Sequence, residues 1–357
     1  MRLVRTFVAA AVVIAAAVAS LPHAAAQAGP ALLYVCVQDE AKVAVVDMAK
    51  AEVVKTIDMT TLGFPPTAKP HFIVVEPDGA HWYVSLIGAN TVAKFDRQDK
   101  LVGKFEMETP GMLSFGPAGQ LVVSRSMSAV NPPKRIAVID RAKMTGEEID
   151  ILFPRPHPMA VVGGYAYTAS LGVNQLAAIE LASGKVQIVD VKGPSHAFVQ
   201  FAVSPDRKTL VASTEVSGQL MVFDISAPAK PVLKAELPLG KMVFDPVFTP
   251  DGRQVWVPVK MNNEIAVIDT ATWKVSARIT DPAFKQPHQV VFSADGRTAF
   301  VTNNNKMDHM ADPAHAGHTM PASDAAAPLV VIDVAARKVT KSLPLGKNLT
   351  GMNTRAR

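Results

Sequence analysis

The chain has one cysteine, Cys36, and aromatic residues make up only 6% of its 357 positions. A lone cysteine rules out any disulfide within the chain, so stability has to come from packing rather than cross-links. Neither sign of charge dominates, with 36 basic residues against 31 acidic ones. No run of lysine or arginine interleaved with aromatics is present, which argues against a nucleic-acid surface. Beyond residue 28 no stretch approaches the roughly 18 consecutive apolar residues that a spanning helix needs. Long amphipathic helical periodicity is missing too. So are the G-x-S-x-G elbow, the H-E-x-x-H zinc motif, the phosphate-cradling P-loop and the Cys-x-x-Cys-His haem attachment site.

What is present begins with a leader. Arg2 and Arg5 precede an apolar run from Phe7 to Leu21, followed by the small residues of PHAAAQAGP. This is the layout of a secretory signal peptide over residues 1–28. It predicts a periplasmic or secreted protein, residues 29–357, with no membrane insertion after cleavage. Removing Arg2 and Arg5 lowers the formal charge from +5 to +3.

The remaining chain repeats itself. A short apolar segment ending in an acid recurs as KVAVVD, TVAKFD, RIAVID, QLAAIE, QLMVFD, EIAVID and PLVVID, closing at Asp47, Asp96, Asp140, Glu180, Asp224, Asp269 and Asp333. Successive acids lie 49, 44, 40, 44, 45 and 64 residues apart. All but the last interval match the period of a four-stranded propeller blade. Most copies follow a second strand opened by a tight turn, as in EPDGAHWYVS, TPDGRQVWVP and SADGRTAFVT. Proline presets one turn dihedral and glycine accepts positive φ, so these segments read as strand, turn, strand, hairpin, strand. The fold expected is all-β: a seven-bladed β-propeller. ALLYVCV at the start reads as a second strand and LPLGKNLTGMNTRAR at the end as the lead-in to a first strand, so the two termini are expected to close the ring. Trp82 and Trp256 fall on equivalent strands and are expected in the core. SMSAVNPPKR, 126–135, reads as an elongated hairpin loop.

YVSLIGANTVAKFD, WVPVKMNNEIAVID and FVTNNNK followed by VVID resemble the YVTN family of propeller repeats. They are also similar to the propeller that carries haem d1 in cytochrome cd1 nitrite reductases. The resemblance spans nearly the whole mature chain and implies architecture more than chemistry.

Function has to come from the loops that lead into the innermost strand of each blade, at one mouth of the central channel. Aligning them places His71, His157 and His288 at one structural position, with His196 about three residues upstream. Converging neutral imidazoles suit copper or zinc, and Met112, Met352 and Asp245 could add a soft or a hard ligand. The same lead-ins carry Lys69, Arg155, Lys192, Lys241, Lys285 and Lys347. A ring of cations focuses a positive potential that attracts anions and repels bare metal ions. Lys69, Arg155, His196, Lys241 and Lys285 are therefore candidate contacts for an anionic small molecule, and the resemblance names haem d1 as one such cofactor.

The long interval holds a second candidate. An insertion over 306–327, in the stretch NNNKMDHMADPAHAGHTMPASD, gathers Met307, His309, Met310, His315, His318 and Met320. Thioether with imidazole selects copper, Cu(I) above all, while the three histidines would also suit zinc. Two functions from different classes follow. The first is a metal-binding propeller, for copper before zinc, served by a metal ion or a metal-donor protein. The alternative is an oxidoreductase or cofactor-maturation protein holding haem d1 or another anionic redox cofactor. A non-catalytic interaction scaffold is the third. No catalytic residue is assigned.

Overall fold

The structure, a computed structural model, describes residues 31–125, 132–306 and 325–355. The expected signal peptide, part of the 126–135 hairpin and the metal-ligand candidates Met307, His309, Met310, His315, His318 and Met320 lie outside the described residues. Among the described residues no helix is long and apolar enough to cross a membrane.

Seven four-stranded antiparallel sheets stand side by side. Blade 1 runs Pro70–Val75, His81–Leu86, Thr91–Asp96 and Leu101–Glu106, from the innermost strand to the outermost. Blades 2 to 6 repeat that order, beginning at Pro110, Pro156, Phe198, Val247 and Pro287. Blade 7 is composite, because Leu349–Arg355 forms its innermost strand against Leu32–Val37. The expected closure is observed, and innermost strands meet around the channel, except that blade 5 meets the innermost strand of blade 6 through its second strand, Gln254–Val259.

The core lies between blades, because side chains on a strand alternate between its two faces and both faces are covered. In Leu32–Val37, Leu33, Val35 and Val37 pack against Phe300 and Leu329 of blade 6. Tyr34 and Cys36 point the other way, into a cluster with Trp82 and Val84 of blade 1. Trp82 and Trp256 are fully buried, and Trp82 stacks on Phe95 with ring centroids 4.0 Å apart. Outermost strands such as Leu101–Glu106 alternate between partly buried and exposed positions instead.

The repeated acid has a local task. Asp47 Oδ1 accepts the backbone N–H groups of Ala49 and Lys50, and Asp140 Oδ1 accepts those of Ala142 and Lys143. Asp96, Asp224, Asp269 and Asp333 do the same for their own turns. The carboxylate ends the third strand by satisfying turn donors that no strand can reach.

The lead-ins share a second device. Each lead-in carries a left-handed residue that is not glycine, immediately before the innermost strand except in the irregular blade 5: Lys69, Thr109, Arg155, Ala197, Met242, Gln286 and Asn348, with φ between 45° and 59°. Its carbonyl accepts an N–H from the second hairpin of the same blade, as from Ile87 to Lys69 and from Leu171 to Arg155. This clamp offsets a conformation that costs on the order of 1 kcal/mol or more. Register then slips just inside the strand, between Pro70 and Phe72 in blade 1 and between Pro110 and Leu113 in blade 2. The N–H released by the bulge goes to a hydroxyl on the second strand, from Phe72 to Ser85, Met112 to Ser124, Gln200 to Ser213 and Gln289 to Thr302. In blade 3 the bulge residue is Pro158, which has no N–H, and Ala169 stands where the hydroxyl would be.

Candidate functional site at the channel mouth

The clamp and the bulge turn one residue per blade toward the channel, the second residue after the left-handed one. Around the ring these are His71, Gly111, His157, Val199, Phe244, His288 and Thr350. Six of them line one cavity of about 600 Å³, and blade 2 contributes Met112, next to Gly111, in place of the seventh. The second hairpins reach the same cavity through Gln38, Leu171, Glu215, Lys260 and Lys306. Lead-ins and second hairpins therefore share one mouth, and Lys306, where the insertion departs, stands at its rim.

His71 and His157 face each other edge to face, ring centroids 6.0 Å apart. His157 Nδ1 donates to the Val199 carbonyl at 2.5 Å, and His71 Nδ1 donates to Gln38 Oε1 at 2.8 Å. Each bond fixes the tautomer and leaves Nε2 with a lone pair. His71 Nε2 is buried with no partner among the described residues. Burial, with the charges of nearby His157 and Lys260, pushes the His71 pKa down to about 3. Burial takes His157 to about 4, with Arg155 adding to the shift and the Val199 bond opposing it. His288 is held well below its usual range by burial, then by Lys260 and the other two imidazoles. All three are neutral at physiological pH.

His196 does not join them. Its Nε2 donates to the Lys192 carbonyl and its Nδ1 faces Ser217 Oγ, both at 2.9 Å, inside the lead-in of blade 4. Both ring nitrogens are consumed, which leaves none for a ligand. Of the cations expected here, Arg155 and Lys241 line the cavity. Lys69 and Lys285 are exposed and do not, and the same holds for Lys192 and Lys347.

Two cations come from hairpins that sequence alignment of the lead-ins did not cover. Lys260, only 5% exposed, lies 3.4 Å from the Phe244 ring centroid. Lys306 pairs with Asp39 at 2.7 Å. With Arg155 and Lys241 they put four cations in the cavity lining, against Glu215 in the same lining and Asp39 paired to Lys306.

Asp245 is the anomaly. It is 1% exposed, neither carboxylate oxygen has a partner, and His288 Nδ1 stands 3.7 Å from Oδ2, itself unpartnered. Burial raises its pKa to about 7, against the pull of Lys260. The backbone is irregular at this point: the innermost strand of blade 5 shrinks to Val247–Phe248, and Asp245 bridges in parallel to Gln289 of blade 6. Among the described residues no three His, Cys, Asp or Glu side chains group closely enough to hold a metal ion. Met112 lines the cavity, while Met352 is buried away from it.

Comparison with solved structures finds other propellers. The chain is similar to hydrazine synthase of Kuenenia stuttgartiensis, with 18% identity over 79% of this chain and 88% of that one, TM-score 0.64. It is similar to the dihydro-haem d1 dehydrogenase NirN in complex with DHE, with 17% identity over 90% of this chain and 74% of that one, TM-score 0.59. A protein of unknown function from Desulfotomaculum acetoxidans gives TM-score 0.71 at 14% identity over 90% and 98% of the two chains. No protein-family profile matches the chain, so the YVTN resemblance has no profile behind it, and no curated protein sequence matches either. At these identities what is shared is the fold, a seven-bladed propeller that includes cytochrome d1-like relatives among its neighbours.

Proposed function

We propose that the channel mouth holds an anionic redox cofactor, with a carboxylated metal tetrapyrrole of the haem d1 class as the leading candidate. The observation that carries this reading is the juxtaposition, in one cavity of about 600 Å³, of four cations with neutral imidazoles whose lone pairs lack protein partners. A cavity of this size falls within the range of pockets that enclose small ligands and cofactors. Arg155, Lys241 and Lys306 would hold the carboxylates, and His157 would present its Nε2 for the metal. Bound there, such a group supplies one-electron chemistry. The chain's own residues hold the acid groups, keep the imidazoles neutral and, through Phe244, Met242 and Leu171, exclude water from one wall. That a structural neighbour acts on dihydro-haem d1 supports the choice of class. The leader expected from the sequence would direct this activity to the periplasm.

The test is a visible-absorption titration of the purified protein with a dicarboxylated iron tetrapyrrole. Saturable binding that Lys241→Ala with Arg155→Ala weakens at least about tenfold, the loss expected for a charge-assisted contact, is the expected result. Binding unaffected by that pair would defeat the assignment.

Copper is the second reading, because His71, Met112 and His157, on three consecutive blades, line the same cavity. Its other proposed ligands, in the insertion, would act as the point of capture from a metal ion or metal-donor protein. Stoichiometric copper or zinc in protein isolated from the periplasm, without a tetrapyrrole band, would favour it.

A further inference from the structure

One side of the pocket is chemically unlike its rim: His71 and His288 line it, and Asp245, outside the lining, stands 3.7 Å behind His288. Asp245 Oδ1 and Oδ2, His71 Nε2 and His288 Nδ1 are four buried polar atoms with no hydrogen-bond partner among the described residues. A carboxylate only accepts, and His71 Nε2 is an acceptor because its Nδ1 carries the proton that goes to Gln38. Native proteins leave few buried polar atoms unpaired, since each costs about 1 to 3 kcal/mol, and a cluster of them marks a position awaiting a partner. The backbone points to the same place: blade 5 gives up most of its innermost strand, and the Asp245 N–H goes across to the His288 carbonyl of the next blade at 3.2 Å. Pro258 stands where blades 1, 2, 4 and 6 carry the bulge hydroxyl. Local departures from an otherwise regular repeat concentrate at functional sites.

We propose that His288 and His71, with Asp245 directly behind His288, form a donor-binding subsite on the buried side of this pocket, which takes hydroxyl or N–H groups of a ligand whose acid group is held by the cations at the rim. This goes beyond the cofactor reading by specifying the buried end of the ligand, and it rests on that reading only in assigning the acid to Arg155, Lys241 and Lys306. A bare ammonium or guanidinium is a poorer match than a hydroxyl, because Lys260 and the rim cations oppose it. The raised pKa of Asp245 agrees: its charge is desolvated and lacks the donors that would hold it down.

The probes are gluconate, a carboxylate with adjacent hydroxyls, and hexanoate, a carboxylate of equal charge without them, compared by calorimetry on the full chain. Gluconate is expected to bind about tenfold more tightly, the gain of one or two charge-assisted hydrogen bonds. Asp245→Ala should remove that preference, while Lys241→Ala weakens both acids alike. If Asp245→Ala does not fold, 15N-histidine spectra of the unmodified protein decide, since gluconate should move the His71 and His288 signals and hexanoate should not. Equal affinities, a preference that survives Asp245→Ala, or no binding of either acid at about 10 mM, far above what several contacts would require, overturns the subsite. A tetrapyrrole that binds while gluconate shows no preference leaves the cofactor reading standing alone. A gluconate preference without tetrapyrrole binding does the reverse.

Discussion

Blades 1, 3 and 6 and blade 5 handle the channel mouth in opposite ways. The first three keep the regular scheme of left-handed residue, proline, then histidine, on full innermost strands of six or seven residues. Each imidazole is added without disturbing the sheet. Blade 5 instead has Phe244 and Asp245 at the corresponding place, and its innermost strand falls to two residues. The difference shows what a repeat can absorb: a neutral ring fits the bulge as it stands, whereas a buried carboxylate comes with a rebuilt backbone.

The largest effect should come from breaking the regular part. Truncation after Gly346 removes Leu349–Arg355, leaves Leu32–Val37 as an open edge and exposes Leu33, Val35 and Phe300. Blades stabilise one another through their interfaces, so the truncated chain should lose cooperative unfolding, read by circular dichroism and size exclusion. Native-like melting would mean that closure matters less than the blade contacts suggest.

Breaking the irregular part should give a smaller, pH-dependent effect. Asp245 shifts from its usual value near 3.8 to about 7, so between those limits the folded protein holds a proton that the unfolded chain has released. Its contribution to stability is complete below about pH 4 and is lost as pH rises through 7. The histidines run the other way: their contribution is complete above 6.5 and is lost as pH falls through about 4 for His157 and about 3 for His71. Asp245→Asn removes only the first trend. The variant should therefore gain on the unaltered protein as pH rises from 5 to 8, by at most about 1.4 kcal/mol per pH unit. Urea midpoints at the two pH values check this, and a difference independent of pH would show that the carboxylate finds donors in the free protein.

These contrasts also mark what the sequence could convey. The blades, their order and the closing strand were legible because apolar alternation, turn residues and a period near 44 all report local geometry. His71, His157 and His288 were legible because they share one offset from a turn. Lys260 and Lys306 were not, since they arrive from second hairpins, and nothing in one chain's spacing says that those hairpins and the lead-ins share a mouth. His196 misled because a histidine one residue before the left-handed position folds back into its own loop. Asp245 stood out in the sequence only as a possible hard ligand beside the imidazoles, and its burial without partners is visible in the structure alone.

The smallest effect separates blades that look identical in sequence. Ser85 and Ser124 hold the same bulge position, but Ser85 meets Phe72 N and O at 3.2 and 3.5 Å within its own blade. Ser124 accepts from Met112 N at 2.9 Å and donates to the His157 carbonyl at 2.7 Å, which ties blade 2 to blade 3 beside a mouth histidine. Either alanine variant strands a buried N–H, for about 1 to 3 kcal/mol. Ser124→Ala should lie at the upper end and also leave the His157 carbonyl unpaired, while Ser85→Ala should lie at the lower end. Denaturant titration of the two variants measures the gap. Equal losses would mean that the bulge N–H carries the whole cost and that the link between blades adds nothing, as blade 3 already manages with Ala169 opposite the N–H-less Pro158.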